Sequence, residues 1–295
     1  MTPLDSASAV PHGDATTWTS SDDVLRRNAV EVLGDPEAPV LVFAHGYGTD
    51  QSTWRPIAER FAASNRVVLF DYVGSGRSDL GAYDERRYDS LEGYADDLIE
   101  VIEAVGAQQV SFVGHSASGM IGALASIRRP DLFARLVMIC PSPRYVNDGD
   151  YIGGFDREDV LELLSGIEAN QPGWAASLAP AVTARADLPA VTDRVRDLFT
   201  ATPHEVAKHF ARVVFFSDVR HRLGEISVPT TVMQSVGDII CPPHIGEYLC
   251  ARIPHSELVR LDSAGHFVHL TDPDLITAQI QRVLAADAGS PALSL

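Results

Sequence analysis

Along this chain, short uninterrupted apolar runs alternate with stretches in which apolar residues recur every three or four positions. The runs are PVLVFAHG (39–46), RVVLFD (66–71), QVSFVGHS (109–116), RLVMICP (135–141), PTTVMQSVGD (229–238) and SELVRLDSAGH (256–266). PVLVFAHG is apolar, β-branched and closed by a glycine, which suits a buried strand, RVVLFD is a second candidate of that kind, and the others continue the alternation. Helical spacing lies between them: Trp54, Ile57, Ala58 and Phe61; then Leu91, Tyr94, Ala95, Leu98, Ile99 and Ile102 after Ser90 as a cap; then 117–129, stopped ahead of Pro130. Two more helices are expected near 244–251 and 272–286. Strand and helix in alternation predict an α/β fold, a mostly parallel central sheet with helices on both faces.

The rhythm breaks between 142 and 228, where no strand pattern occurs. Four helical patterns stand there instead: DREDVLELLSGIEAN, PGWAASLAPAV with Pro172 in its first turn, DRVRDLFTA, and TPHEVAKHFARVVFF, which Thr202, Pro203 and Glu205 mark as a capping-box start. Residues 142–228 are therefore expected to be a helical insertion forming a lid on a core made of 26–141 and 229–287. A Ser/Thr/Asp/Gly-rich leader (1–25) and a loose tail (288–295) flank the core. No internal repeat is present.

Composition narrows the partners. The 295 residues are 45% hydrophobic and 21% charged, an ordinary core-forming mixture. Asp and Glu number 40 against 23 Lys and Arg, a net charge of −17. Such a field repels phosphate backbones and anionic membranes, so neither nucleic acid nor membrane is expected as a partner. No window approaches the apolar length of a membrane span. The first residues carry no Lys or Arg ahead of an apolar run, so no secretory signal is expected. Three cysteines are too few and odd in number for a disulfide framework, which favours a reducing cytoplasm.

The sharpest chemical signal is FVGHSASG, Phe112 to Gly119. It sets Ser116 between an apolar strand and a helix, the sharp junction that lifts a nucleophilic hydroxyl over the sheet edge. Gly114, Ala117, Ser118 and Gly119 are small enough for that cramped turn. The usual Gly-x-Ser-x-Gly spacing is not kept, since position 118 is serine and the glycine comes one place later. A base is expected at His266, in SAGHFVH after the last strand, because Ser…Asp…His is the chain order of such triads. The acid is expected at Asp238, 28 residues upstream of His266 at the end of the preceding strand. Asp262, on the last strand, is the competitor. The acid's role would be to accept the imidazole N–H and fix its tautomer. Oxyanion donors are expected at the backbone N–H of Ala117 and of Tyr47 in AHGYG (44–48). His266 and His269 form an H-x-x-H pair with no third ligand at sensible spacing, so no metal is expected. The glycines of DYVGSGRSD (71–79) lack the spacing and following helix of a dinucleotide site, so no cofactor is expected either.

These segments, in order, also carry a likeness. HGYG, DYVGSGRSD, GHSAS, LASIRRPDLFARLVM, SPRYVNDGDYIGGF, FFSDVR and the QSVGD…GH pair resemble the small α/β-hydrolases that include the bacterial stress regulator RsbQ and the plant karrikin and strigolactone receptors. The resemblance spans about residues 26–285. It implies an α/β-hydrolase fold with a V-shaped four-helix lid over an apolar pocket. It also implies Ser116, Asp238 and His266 as the triad, with Tyr47 and Ala117 as oxyanion donors. Tyr145, Trp174, Phe215 and Ile239 fall where the family lines its cavity, with Phe216 and Phe267 as lesser candidates. The family often has phenylalanine at the Tyr47 position, so this hydroxyl is expected to narrow the entrance or bond a ligand oxygen.

Two functions follow as expectations. One is a serine hydrolase cleaving a small hydrophobic ester or lactone through an acyl-enzyme. The other is a signalling protein that binds or slowly cleaves such a molecule and engages a partner of the RsbP-like phosphatase kind. Carbon–carbon bond hydrolases acting on ring-cleavage diketones share the residue set and stand as a further reading.

Overall fold

A computed structural model describes residues 20–286, so most of the leader and the whole tail lie outside the described residues. The described chain folds as α1 (Ser21–Arg27), β1 (Glu31–Leu33), β2 (Val40–Ala44), α2 (Arg55–Phe61), β3 (Arg66–Leu69), α3 (Leu91–Ala104), β4 (Val110–His115), α4 (Ala117–Arg128), β5 (Phe133–Ile139), α5 (Arg157–Thr183), α6 (Pro189–Ala201), α7 (His204–Phe215), β6 (Thr230–Gly237), α8 (His244–Cys250), β7 (Ser256–Ala264), α9 (Val268–Thr271) and α10 (Pro273–Ala285). The seven strands form one sheet in the order β1-β3-β2-β4-β5-β6-β7. All neighbours are parallel except β1, which runs antiparallel to β3 at the edge.

The apolar runs are continuous because successive side chains on one strand enter different cores. On β2, Leu41 and Phe43 join one core with Trp54, Ile57, Ile276 and Ile280, so α2 and α10 cover that face. Val42 and Ala44 join the other with Leu98, Ile121, Ile245 and Leu249, so α3, α4 and α8 cover the opposite face.

Three differences from the sequence reading have local causes. Helix α1 begins at Ser21, inside the stretch read as leader; the Ser20 hydroxyl caps it by accepting from the Asp23 amide, and Arg27 buries itself against Glu100. Helix α7 has Pro203 at its cap and no side-chain capping bond, so the expected Thr202–Glu205 box is absent. Such a box forms at α5 instead, where the Asp159 carboxylate accepts from the Asp156 amide at 2.7 Å.

Helices α5 to α7 stand over the ends of the strands. Helix α5 breaks at Asn170 (φ −163°, ψ 80°), whose side chain accepts from the Gly173 amide and starts a second helical segment, with Pro172 in its first turn. The region thus holds four helical segments. They reach the loops at those ends: the Tyr47 hydroxyl donates to the Ala207 carbonyl of α7, Tyr83 bonds His209 of α7, and the His266 amide donates to the Val182 carbonyl of α5.

Candidate active site

The site lies where β2, β4, β6 and β7 end. Ser116 follows β4 directly and precedes α4, with φ 55° and ψ −122°. Few side chains adopt that conformation, and it is held from both sides. The Ser116 amide donates to the Ile139 carbonyl at 2.8 Å, and the Ser116 carbonyl accepts from the Gly119 amide at 2.9 Å. The strained turn turns the hydroxyl away from the strand toward His266.

His266 Nε2 lies 2.8 Å from Ser116 Oγ, and its Nδ1 lies 2.7 Å from Asp238 Oδ2. A carboxylate facing Nδ1 keeps the proton there, so Nε2 is the acceptor for the serine hydroxyl. Asp238 is fixed in turn, since its other oxygen accepts from the amides of Ile240 (2.8 Å) and Cys241 (3.0 Å). Ser116, Asp238 and His266 are 5%, 4% and 4% exposed, so this chain of hydrogen bonds works largely out of water. Asp262 makes no such contact and sits on β7 instead.

The His266 backbone is held as firmly as its ring. Its amide donates to Val182 O at 2.7 Å, and its carbonyl accepts from His115 Nε2 at 2.9 Å. Burial, with His269 and His266 nearby, lowers the His115 pKa well below its ordinary value, so that ring stays neutral and keeps donating. Burial likewise lowers the His269 pKa to about 3, and its ring stacks on Trp54 at 4.4 Å. His269 is thus a neutral packing residue behind the site.

The loop after β2 passes against Ser116. A Cβ on Gly46 would stand 3.2 Å from the Ser116 Cβ and 2.9 Å from His115 Nδ1, so only glycine allows that approach. Among the described residues, the amides of Tyr47 and Ala117 donate no backbone hydrogen bond. Two N–H groups beside a hydroxyl, without acceptors of their own, are what an oxyanion would use.

Ser118, which stands where the usual spacing has glycine, is fully buried. Its hydroxyl donates to the His45 carbonyl and accepts from Tyr72 Oη at 3.1 Å. The side chain fits because it ties the start of α4 to the loop carrying Tyr47.

A cavity of about 30 Å³ opens on Ser116. That is room for about two water molecules. Its apolar wall includes Leu178, Val182, Phe199, Val214, Phe215 and Phe267, and Tyr47 and Tyr145 also face it. Of the residues carried over by position, Tyr47, Tyr145 and Phe215 line the cavity, and so does Phe267. Trp174 does not. It lies one turn before Leu178 on the same helical face and packs behind, against Phe199 (5.3 Å) and Tyr47 (6.4 Å). Ile239 does not line it either, being 53% exposed. The turn that sends the Ile240 and Cys241 amides to Asp238 throws Ile239 outward, and Ile240 takes the inner place. Phe216 lies outside the cavity, with the Arg157 guanidinium over its ring. The Tyr47 hydroxyl meets neither entrance nor ligand space, because Ala207 O accepts it at 3.1 Å. Leu178, Val182, Phe199 and Val214 carried no signal in the sequence beyond helical periodicity.

As for metals, ligand atoms of Cys140, Asp238 and His266 lie within 4.8 Å of one another. Two of them are occupied with each other, since His266 Nδ1 donates to Asp238. The set therefore serves the hydrogen-bond chain as it stands.

A parallel sheet with a serine at the β4–α4 bend, a histidine after the last strand and a carboxylate after the one before define an α/β hydrolase. The profile of the alpha/beta hydrolase fold matches residues 39–273, and the chain belongs to that family. It is 39% identical over 260 residues to the karrikin insensitive 2 receptor CA of Petunia hybrida, covering 88% of this chain and 96% of that protein. It is 39% identical over 267 residues to the strigolactone esterase D14 of Arabidopsis thaliana, covering 90% and 99%. Among solved structures it resembles a hydrolase from Oleispira antarctica, with 38% identity, a TM-score of 0.87, and coverage of 90% of this chain and 98% of that one. The chain is a hydrolase. Among the described residues, no helix is long and apolar enough to cross a membrane.

Proposed function

We propose that the protein cleaves small, largely hydrophobic esters or lactones, with Ser116 as nucleophile, His266 as base and then acid, and Asp238 as the carboxylate that orients it. The observation that carries this reading is the chain from Asp238 through His266 to the Ser116 hydroxyl, 2.7 and 2.8 Å long, ending beside two unengaged amides. Ser116 gives its proton to His266 Nε2 as it attacks the acyl carbon. The amides of Tyr47 and Ala117 receive the oxyanion, and His266 returns the proton to the departing oxygen. Water then repeats the sequence on the acyl-enzyme. Asp238 keeps its charge throughout and stabilises the imidazolium.

The wall of the cavity supports the substrate class. Among its lining residues none is a lysine or arginine, so a substrate carboxylate would find no counter-ion. At about 30 Å³ the cavity is smaller than most esters, so in this reading residues 142–228 act as a lid that gives way on binding. The three cysteines are free thiols, in keeping with work in a reducing cytoplasm. No cofactor enters the scheme.

Likeness to a karrikin receptor favours a second reading, in which slow cleavage or binding shifts the lid and engages a protein partner such as a phosphatase-type regulator. Both readings meet in one experiment, p-nitrophenyl acetate hydrolysis by wild type and Ser116→Ala. The substitution is expected to lower the rate at least about 10³-fold, since triad members act as a unit. Near-normal turnover in Ser116→Ala would overturn the nucleophile assignment. Sustained turnover across several esters favours metabolism, whereas a few turnovers per chain favour signalling.

A further inference from the structure

The segment SPRYVNDGDYIGGF (142–155) does more than line a wall. Several of its polar groups are spent on its own backbone. The Ser142 hydroxyl and the Tyr151 hydroxyl both donate to the Arg144 carbonyl, at 2.8 and 2.7 Å. The Asn147 side chain accepts from the amides of Gly153 (2.8 Å) and Gly154 (3.1 Å). Arg144 reaches Val146 O and Asp218. The Tyr145 carbonyl accepts from the Phe155 amide at 3.2 Å, and a Cβ on Gly153 would stand 2.3 Å from that carbonyl. What the cradle presents to the cavity is one phenol ring, that of Tyr145, packed on Phe215 at 5.2 Å.

That ring carries a hydroxyl which packing does not explain. Tyr145 is 1% exposed, and its hydroxyl has no hydrogen-bond partner among the described residues. Its near neighbours are Ser116 Oγ and the Cys241 thiol. A buried donor without an acceptor destabilises a fold, and phenylalanine would fill the same space without that cost. A hydroxyl kept there, facing the reacting oxygen, has its acceptor in a bound molecule.

We propose that the Tyr145 hydroxyl donates a hydrogen bond to the leaving-group oxygen of the ester as the acyl–oxygen bond breaks. The inference rests on the serine-hydrolase reading above. Its direction follows from the positions of the groups. The carbonyl oxygen is met by the amides of Tyr47 and Ala117, from the β2 loop and the start of α4. Tyr145 approaches from the Asp238 and Cys241 side. Burial above all, with the Cys241 thiol and the Asp238 carboxylate close by, holds the phenol well above its ordinary pKa, so it remains a donor and never the base.

In the step itself, the Ser116 Oγ–acyl carbon bond has formed and the acyl carbon–oxygen bond breaks, its electron pair going to the leaving oxygen. That oxygen takes its proton from His266 Nε2. Tyr145 keeps its own proton and stabilises the charge before the transfer completes. The products are the acyl-enzyme and the free alcohol. In deacylation the same hydroxyl bonds the oxygen of the incoming water.

The test is a leaving-group series: p-nitrophenyl, phenyl, trifluoroethyl and ethyl acetates, with kcat/KM measured for wild type and Tyr145→Phe. The poorer the leaving group, the more charge the oxygen carries and the more a donor matters. The variant is expected to lose no more than about threefold with p-nitrophenyl acetate and about 10- to 100-fold with ethyl acetate, the range of a hydrogen bond to a charged oxygen. Its melting temperature should not fall, since the hydroxyl it loses has no partner. An equal loss on every ester, or no loss on any, would overturn the proposal. Either result in an enzyme still abolished by Ser116→Ala leaves the serine-hydrolase reading standing, whereas ester turnover that survives Ser116→Ala removes both.

Discussion

The floor and the roof of this site are built differently. The floor is a web of short hydrogen bonds among residues whose types are dictated one by one. Ser116 sits in a strained bend, Gly46 allows a close approach, and Asp238 is saturated by two amides, His266 fixed through both its amide and its carbonyl. The roof is chiefly rings and aliphatic side chains: Phe199, Phe215, Leu178 and Val182 around the cavity on Ser116, with Tyr47 touching Trp174, Phe199, Phe210 and Phe215. Directional bonds tolerate no substitution without loss of geometry, whereas apolar packing tolerates exchange among residues of similar volume. One fold can thus keep a chemistry and change the molecule it acts on.

The contrast makes quantitative demands. On the floor, Asp238→Asn keeps the volume and the oxygen that accepts from Ile240 and Cys241, and replaces the oxygen that accepts from His266. Its rate is expected to fall about 10³- to 10⁴-fold with the thermal transition little changed, read by ester kinetics beside calorimetry. A small loss would mean that the imidazole is held by its backbone contacts alone. The leaving-group dependence of Tyr145→Phe comes next in size and falls between the two regions, since a polar group on the roof side acts on the chemistry. On the roof, Tyr47→Phe removes only the bond to Ala207 O. It is expected to cost about 0.5–1.5 kcal/mol of stability and to change kcat/KM by less than about threefold, because the donor proposed at this position is the backbone N–H. A loss as large as that of Asp238→Asn would erase the distinction and make the position of α7 a determinant of the oxyanion site.

The same contrast explains what could be read in the chain. Ser116 and Asp238 stand out because each follows a buried strand that an apolar run marks, whereas His266 follows β7, an edge strand with only Leu261 buried, and is marked by its place after the last strand pattern. The roof has only the 3.6-residue period, which says that Leu178, Val182, Phe199 and Val214 are buried but not against what. Trp174 shares a helical face with Leu178 and Val182, and its distance along the axis, invisible in a periodicity, puts it behind the cavity. Ile239 and Ile240 are adjacent and alike, and only the turn around Asp238 decides which faces inward. Strand β1 is three residues long and exists through its pairing with β3, so nothing local announces it. By contrast, the start of α1 was legible in the Ser20–Asp23 spacing, a local cap signal inside a stretch that composition alone marks as loose.

The central claim is that a single hydroxyl, that of Ser116, becomes a nucleophile. The most direct measurement is stoichiometric labelling with an alkyl fluorophosphonate, read by intact mass and by mapping the modified peptide. The account predicts one adduct per chain, located on Ser116, formed far more slowly in Asp238→Asn and absent in Ser116→Ala. No adduct in the wild-type protein, or an adduct on Ser118 or any other residue, would contradict it.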